Sequence, residues 1–269
     1  MNNIPFSLIQ VFNEPGLNFK GNIAAVVLLE EPWNDRKMQD WATELNQPAT
    51  SFLWPYHEKN QFSVRWFAPD EEIFLCGHGA LAVIAYLSKN LKLNEPAQLV
   101  FPSGTISGKP EAENSCSITL DSIPVLSKEE VNPLFQEALG ISIKEHFTTL
   151  NKHILVAENE QDVKNMKPDF VKLRESEILG YAVTAPGHQV DFVSRTLIPH
   201  YLQLEDHATG SSHAALAPFW AKKLNKKELI AHQLSPRGGS FKCQIKEKTV
   251  KLTGNFNIFA EGKLTENNV

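Results

Sequence analysis

A polar segment in the second half of the chain combines residue types that can move a proton and bind an anion. Asp206 supplies a carboxylate, Ser211 and Ser212 supply hydroxyls, and the apolar run from Ala214 predicts that a helix begins here. Thr209 or Ser211 is expected to cap this helix. A helix start leaves about four N–H groups without partners and carries partial positive charge, so a small anionic substrate fits it. An ordinary capped core helix is the alternative interpretation.

The first half of the chain contains a second copy of this pattern. In residues 65–87, and again in residues 195–223, an arginine is followed by a proline four positions later, a short loop, a Gly turn and an Ala-rich helix. The two arginines, Arg65 and Arg195, are 130 positions apart (195 minus 65). One long-period repeat indicates two similar halves rather than a solenoid. We therefore expect helices over 77–87 and 210–223, whose starts would line one cleft with donors.

The composition is that of a globular protein with a substantial core. The chain has 269 residues, of which 42% are apolar and 21% charged, with a net charge of −5. No basic run is longer than a pair, which argues against a nucleic-acid partner. No apolar stretch approaches the roughly 18–20 residues of a membrane span, and the first residues lack the features of a signal peptide. The three cysteines are far apart, which favours a reducing cytoplasm over a disulfide framework or a zinc site.

Apolar periodicity predicts an α+β chain with many short strands and one long helix in each half. Asn34 is expected to cap a helix through Leu45, and residues 169–174 predict a short helix. Residues 127–130 have the form of a capping box that starts a helix ended by Gly140, and residues 226–230 predict a helical turn. The last two strands, 249–253 and 258–263, are expected on either side of residues 254–255. We place the domains at 1–122 and 123–269, with a last strand at about 256–266 packing onto the first.

Several segments also resemble a known family in their order along residues 19–239. They are Phe19-Lys20-Gly21-Asn22-Ile23-Ala24-Ala25-Val26-Val27, Arg65-Trp66-Phe67-Ala68-Pro69 with Glu72, Leu75-Cys76-Gly77-His78-Gly79-Ala80, Asp191-Phe192-Val193-Ser194-Arg195, Glu205-Asp206-His207-Ala208-Thr209-Gly210-Ser211-Ser212-His213 and Arg237-Gly238-Gly239. Together they resemble the phenazine-biosynthesis PhzF-like family, relatives of diaminopimelate epimerase and proline racemase. The resemblance implies two pseudo-symmetric halves, each a barrel-like, mostly antiparallel sheet around a central helix. It also implies an inter-domain cleft, a homodimer, and isomerase chemistry without metal or organic cofactor.

Isomerisation of a carboxylate metabolite requires a base, an acid and donors for the developing negative charge. His78 and Asp206 can move protons, and Ser211 can hydrogen-bond a carboxylate, so these three are the expected catalytic residues. The glycines allow close approach of backbone to ligand. The expected substrate-binding residues are Asn22, Gly77, Gly79, Thr209, Gly210 and Ser212.

The chain departs from the family at Ala49. The family has Asn-x-Ser-Glu-Thr before its strand, with the Glu as proton carrier, whereas this chain reads Asn46-Gln47-Pro48-Ala49-Thr50. Alanine cannot carry a proton. Either another group has taken over, or the substrate differs, or the protein binds a ligand without turnover.

Other polar residues admit structural interpretations. Glu72 is expected to be a structural or solvated charge, and Arg65 and Arg195 to pair with carboxylates inside their halves. His207 is expected to be a solvated loop residue, while His213 either faces the ligand or satisfies a nearby carbonyl. Two-thiol racemisation is rejected, because Ala208 stands where a second thiol would be needed.

Three functions compete on these observations. The first is an isomerase acting on a small carboxylate metabolite. The second is a small-molecule binding protein that kept the cleft and lost the base at Ala49. The third, a Cys76–His78 nucleophilic hydrolase, is less favoured because the spacing alone does not align thiolate, base and orienting group.

Overall fold

The computed structural model describes residues 3–265, which form two compact units. The first unit consists of residues 3–15, 20–120 and 253–265, and the second of residues 16–19 and 121–252. The elements of the first unit are β1 (Asn3–Asn13), β2 (Asn22–Leu28), α1 (Asp35–Leu45), β3 (Thr50–Pro55), β4 (Gln61–Phe67), β5 (Glu72–Ile73), α2 (Gly77–Asn90), β6 (Ala97–Phe101), β7 (Gly104–Ala112) and β8 (Ser115–Asp121). A one-turn 3-10 helix, Pro15–Leu17, lies between β1 and β2.

The second unit follows in chain order. Its elements are β9 (Val125–Glu129), α3 (Pro133–Leu139), β10 (Ile143–Thr149), β11 (His153–Ala157), α4 (Glu160–Asn165), α5 (Phe170–Leu173), β12 (Tyr181–Pro186), β13 (Phe192–Leu197), β14 (Glu205–Asp206), α6 (Gly210–Leu224), β15 (Glu228–Gln233) and β16 (Gly239–Lys246). The long strand β17 (Thr249–Thr265) starts in this unit and continues into the first.

The sheet of the first unit closes into an eight-stranded barrel. β1 pairs with β2, β2 runs parallel to β3, and the ladder continues through β4, β6, β7 and β8. β17 then pairs with both β8 and β1 and closes the barrel. Helix α2 packs against β1, β2, β3 and β7, and its residues from Gly77 to Leu87 are all buried. Such a helix, apolar on every side, is stable only inside a core.

Close packing and a cap fix the two helices of the first unit. A Cβ at Gly108 on β7 would lie 2.5 Å from Ile84 Cγ1, so the glycine lets α2 approach that strand. Helix α1 covers the sheet with Met38 and Ala42, which are fully buried. As expected, Asn34 caps α1, because its side-chain oxygen accepts from the Lys37 N–H at 2.9 Å.

The second unit repeats the topology of the first. β2–β3–β4–β5–α2–β6–β7 and β11–β12–β13–β14–α6–β15–β16 have the same sequence of parallel and antiparallel pairings. β10 joins this sheet by pairing with β9 and β11. The predicted α+β fold, two similar halves each built as a barrel-like sheet around a central helix, is confirmed.

Helix α6 contains a proline and still satisfies its backbone. Pro218 has no N–H to donate to the Ala214 carbonyl four residues earlier. The Ile123 N–H donates to that carbonyl instead, at 3.0 Å. The segment after β8 is thereby fixed to the central helix, and α6 continues to Leu224.

Two helix predictions in the second unit are wrong. Residues 127–129 lie in strand β9, where the Ser127 hydroxyl contacts the Thr148 hydroxyl on β10 at 2.6 Å and caps nothing. The helix of this region begins at Pro133 and is capped by Asn132, although it does end at Gly140, whose φ of 68° suits a glycine. The helical turn expected at 226–230 is absent, because strand β15 begins at Glu228.

The break expected at residues 254–255 is also wrong. β17 continues through Gly254, where a Cβ would lie 2.4 Å from Phe12 Cδ1. The glycine therefore makes room for the buried ring of Phe12 on β1 and does not form a turn.

None of the helices described within residues 3–265 is long and apolar enough to cross a membrane. Cys76, Cys116 and Cys243 are buried and form no disulfide. Burial raises the pKa of Cys116 to about 12, so this thiol stays protonated at neutral pH.

Candidate functional site

In the first unit, the start of α2 holds a thiol and an imidazole together. Cys76 is the N-cap residue, and its Sγ accepts from the Gly79 N–H at 3.3 Å. His78, on the first turn, is 6% exposed and has Nδ1 3.5 Å from the same sulfur. Cys76 therefore caps the helix and contacts the imidazole that could transfer a proton.

Gly79 brings the helix start against β3 and β4. A Cβ at Gly79 would lie 2.6 Å from Trp66 Cδ1, which leaves no room for a side chain. The carbonyl of Gly79 accepts from the Ser51 hydroxyl on β3 at 3.4 Å. Ser51 is two residues after Ala49 on the chain, so residue 49 lies near this helix start.

Ala49 itself is fully buried beside the first residue of β3. Its carbonyl accepts from the Ala25 N–H at 2.9 Å, which fixes the backbone at this point. The side chain is a methyl group and offers no acid or base. The described structure thus places an apolar group at residue 49.

In the second unit, Gln233 holds the loop that connects Asp206 to α6. Its Nε2 donates to the Asp206 carbonyl at 2.5 Å and to the Thr209 hydroxyl at 3.1 Å, and its Oε1 accepts from the Thr209 N–H at 2.8 Å. Gln233 is completely buried, so these bonds are made away from water. Asp206 lies on the two-residue strand β14, opposite Thr196.

Ser211, on the first turn of α6, contacts a lysine that the sequence patterns did not indicate. Lys152 Nζ donates to Ser211 Oγ at 3.2 Å, and Ser211 is 7% exposed. Burial lowers the pKa of Lys152 to about 8, and the nearby charge of Asp206 partly opposes that shift. Lys152 is therefore linked to Ser211 by a hydrogen bond and to Asp206 by the attraction of opposite charges.

Three residues at the start of α6 are used for internal contacts. Thr209 occupies the N-cap position without a side-chain capping bond, so neither Thr209 nor Ser211 caps the helix as expected. The Ser212 hydroxyl accepts from the Thr196 hydroxyl at 2.9 Å in the interior. His213 is fully buried, its Nδ1 lies 2.8 Å from the Thr209 carbonyl, and its ring stacks on Phe241 at 3.6 Å.

The two histidines near α6 differ from simple solvated groups. Burial lowers the pKa of His213 to about 4, so the imidazole is neutral at pH 7. Its Nδ1 donates to the Thr209 carbonyl, which agrees with the expectation that His213 satisfies a nearby carbonyl. His207 is half-buried, which corrects the solvated-loop interpretation, and burial lowers its pKa also. Within the described chain, His207 Nδ1 is buried without a hydrogen-bond partner.

The remaining predicted binding residues lie at element starts. Asn22 begins β2, is fully buried, and its Oδ1 accepts from the Ile23 N–H at 3.0 Å. Gly77 and Gly210 are the first residues of α2 and α6, and both are buried.

Each unit contains the same bidentate ion pair. Arg65 donates from Nε and Nη2 to the two carboxylate oxygens of Glu72 at 2.7 and 2.6 Å. Arg195 binds Glu205 with the same two distances. Glu72 is therefore a structural charge, and both arginines pair inside their halves as expected. Glu205 precedes Asp206, so the second pair also fixes the strand that carries the candidate acid.

Lys152 and Gln233 are the two polar residues of this region that sequence reasoning missed. Lys152 precedes an apolar strand and has no motif spacing to mark it. Gln233 ends a segment whose first residues were interpreted as helical, so its inward direction on β15 was not recognised. Among residues 3–265, no group of three or more His, Cys, Asp or Glu side chains is placed to hold a metal ion.

This chain has two barrel-like halves, each around a central helix that begins at a glycine. This architecture is the diaminopimelate epimerase-like fold. The chain belongs to the phenazine biosynthesis-like protein family, whose model matches residues 9–262. It is similar to an uncharacterized isomerase of Halalkalibacterium halodurans, with 33% identity over 257 residues that cover 93% of this chain and 94% of the relative. It is also similar to an uncharacterized isomerase of Pseudomonas aeruginosa, with 34% identity covering 91% of this chain and 93% of the relative.

A solved structure supports the same assignment. The crystal structure of a PhzF-family phenazine biosynthesis protein from Enterococcus faecalis matches with a TM-score of 0.90 and 34% identity, covering 98% of this chain and 100% of the other. Family and fold therefore agree with the resemblance of the motifs.

Proposed function

We propose that this protein is a cofactor-independent isomerase that transfers a proton at carbon on a small carboxylate metabolite, with His78, Asp206 and Ser211 as its catalytic residues. The observation that carries the proposal is that His78 and Ser211 lie on the first turns of α2 and α6, and Asp206 on the strand before α6, in a chain related to proteins named as isomerases. The family resemblance further supports a homodimer, which light scattering of the purified protein would test. The reduced, widely spaced cysteines favour the cytoplasm. That both halves contribute to one cleft stays a prediction.

The proposed chemistry follows from what each group can do. Removal of a proton next to a carboxylate or conjugated system creates enolate-like charge, which N–H donors at a helix start stabilise. His78 can accept or return a proton, and Asp206 can act as its counterpart. Ser211 can donate to the carboxylate of the substrate.

Ala49 favours a second candidate, a binding protein with impaired catalysis. Its methyl group is fully buried, so the proton carrier of the family has no chemical equivalent at this position. The backbone donors of the helix starts do not depend on residue 49, and carboxylate binding would survive its loss.

The experiment that separates the two candidates is proton–deuterium exchange at substrate carbon, followed by NMR in heavy water. A positioned acid–base group contributes about 10²–10⁴-fold in rate, so Ala49→Glu is expected to raise exchange of the family's dihydro-hydroxyanthranilate substrate by an amount in that range. Burial would raise the pKa of the new carboxyl, which suits a general acid at neutral pH. Ala49→Gln is the matched control, because it adds the same volume without a transferable proton.

His78→Ala and Asp206→Ala test the remaining site. Each is expected to weaken whatever exchange the wild-type protein performs. Brisk exchange by wild type that is unaffected by Ala49→Glu, His78→Ala and Asp206→Ala would show that the base lies elsewhere and would overturn this assignment.

A further inference from the structure

Lys152 is held rigidly by the turn that precedes β11. The Thr149 hydroxyl donates to the Lys152 carbonyl at 2.6 Å, and the same oxygen accepts from the N–H groups of Asn151 and Lys152 at 3.1 Å each. One hydroxyl therefore fixes both backbone groups of Lys152. The aliphatic stem passes over Gly180, where a Cβ would lie 3.0 Å from Lys152 Cγ. A methyl group at residue 180 would push this stem aside by a few tenths of an ångström.

The ammonium group points to the start of α6 and has two neutral partners. It donates to Ser211 Oγ at 3.2 Å and to the side-chain oxygen of Asn151. No salt bridge joins it to a carboxylate anywhere in residues 3–265, and Asp206 is the charged group whose field acts on it. An ammonium has three N–H donors, so the two contacts leave one donor for another acceptor.

A partly desolvated cation without an ion-paired carboxylate is energetically unfavourable. Withdrawal from water disfavours the charged form, which is why the pKa of this lysine falls to about 8. An anion placed against Nζ and Ser211 Oγ would compensate that loss, since charge-assisted hydrogen bonds are stronger than neutral ones. The start of α6 adds partial positive charge on the same side.

We infer that Lys152 and Ser211 together form the subsite that binds the carboxylate of the substrate, with the lysine supplying the charge and the serine the orientation. This inference rests on the proposed function, in which the substrate is a small carboxylate. The sequence patterns indicated only the Ser211 hydroxyl and backbone N–H groups as carboxylate donors. Lys152 adds a positive charge to this site. Lys152 is thus a substrate-binding residue, distinct from His78 and Asp206, which transfer protons.

The first test follows the Lys152 side chain directly. The protein is labelled with ¹³C-lysine, and the Lys152 signal is assigned by its loss in Lys152→Arg. The probes are acetate, lactate, benzoate and anthranilate, each paired with its neutral amide. We expect at least one carboxylate to shift the Lys152 signal saturably and to raise the pKa of this lysine from about 8 toward 10.5, while the matching amide does neither. A signal unmoved by every carboxylate would overturn the inference.

The second test compares variants in binding and exchange. Lys152→Met keeps the length of the stem and removes the charge, and it is expected to weaken carboxylate binding about 10- to 100-fold. Lys152→Arg should retain part of the affinity. Lys167→Met, at an exposed lysine, is the control and should leave binding unchanged. Circular dichroism establishes that each variant is folded.

The outcomes distinguish this inference from the proposed function. If carboxylates shift the Lys152 signal but the wild type exchanges no substrate proton, the subsite stands and the isomerase proposal fails. If the wild type exchanges protons and Lys152→Met has an unchanged KM, the isomerase proposal stands and the subsite fails. Loss of kcat with full carboxylate affinity in Lys152→Met would also contradict the subsite, because it would make Lys152 a proton carrier.

Discussion

Replacing Arg195 by methionine should destabilise the second unit strongly. The Arg195 and Glu205 side chains are only 9% and 11% exposed, and the guanidinium donates to both carboxylate oxygens. Arg195 Nη1 also donates to the Met166 carbonyl at 2.9 Å. Removing one partner of a buried pair leaves an uncompensated charge, and this costs about 3–5 kcal/mol of unfolding free energy.

The equivalent pair in the first unit provides the matched control. The Arg65 and Glu72 side chains are 19% and 31% exposed, so water screens the remaining charge. Arg65→Met is therefore expected to cost only about 1 kcal/mol. Both substitutions remove a bidentate partner of a glutamate, and burial is the main difference between them. The third contact also differs, because Arg65 Nη1 donates to the exposed carboxylate of Asp35 at 2.6 Å and Arg195 Nη1 to a backbone carbonyl.

Urea denaturation followed by circular dichroism measures both costs. The double variant Arg195→Met/Glu205→Leu should recover most of the loss, because it removes the unpaired carboxylate along with its partner. Equal costs for Arg195→Met and Arg65→Met would refute the reasoning from burial. A double variant as unstable as Arg195→Met alone would refute the assignment of the cost to the unpaired charge.

Two further predictions concern His213 and Gly79. Burial lowers the pKa of His213 from 6.5 to about 4, so the unfolded chain binds a proton in that range that the folded protein does not. This contribution to stability is complete above pH 6.5 and is lost as the pH falls toward 4. Between these pH values, His213→Phe should reduce the slope of unfolding free energy against pH by about 1.4 kcal/mol per pH unit. Equal slopes for the variant and the wild type would contradict this. Gly79→Ala should cost about 1–3 kcal/mol, measured by thermal unfolding, because its Cβ would overlap Trp66. Gly104→Ala, whose Cβ would meet its nearest atom at 3.4 Å, should be nearly neutral, and similar losses in both variants would contradict the steric argument.

The features that the sequence predicts well are those that depend on the pattern of neighbouring residues. The two central helices follow from glycine turns before Ala-rich runs, and their burial follows from apolar residues on every face. The Arg–Pro repeat anticipated two halves of the same topology. Arg65 and Arg195 pair with carboxylates inside their halves, as expected.

The failures occur where a residue's partner is distant in sequence. Ser127 has the form of a helix cap, yet its segment pairs with β10 and its hydroxyl meets Thr148. Gly254 has the form of a turn glycine, yet it accommodates Phe12, which is more than two hundred positions earlier. Lys152 left no local signal at all, because its position near Ser211 is set by a turn and by the packing of its stem on Gly180.

The pairing of β1 with β17 makes closure of the first barrel depend on a strand that is synthesised late. Asn3 is registered with Thr265, and β17 closes the barrel of the first unit. The ribosome makes residues 253–265 only after the whole second unit has been synthesised. The first unit therefore cannot close its barrel until this strand arrives, although most of its residues are synthesised before those of the second unit. Until β17 arrives, the edges of β1 and β8 expose unpaired backbone groups, which makes the nascent first half the segment most exposed to chaperone binding and to misassociation.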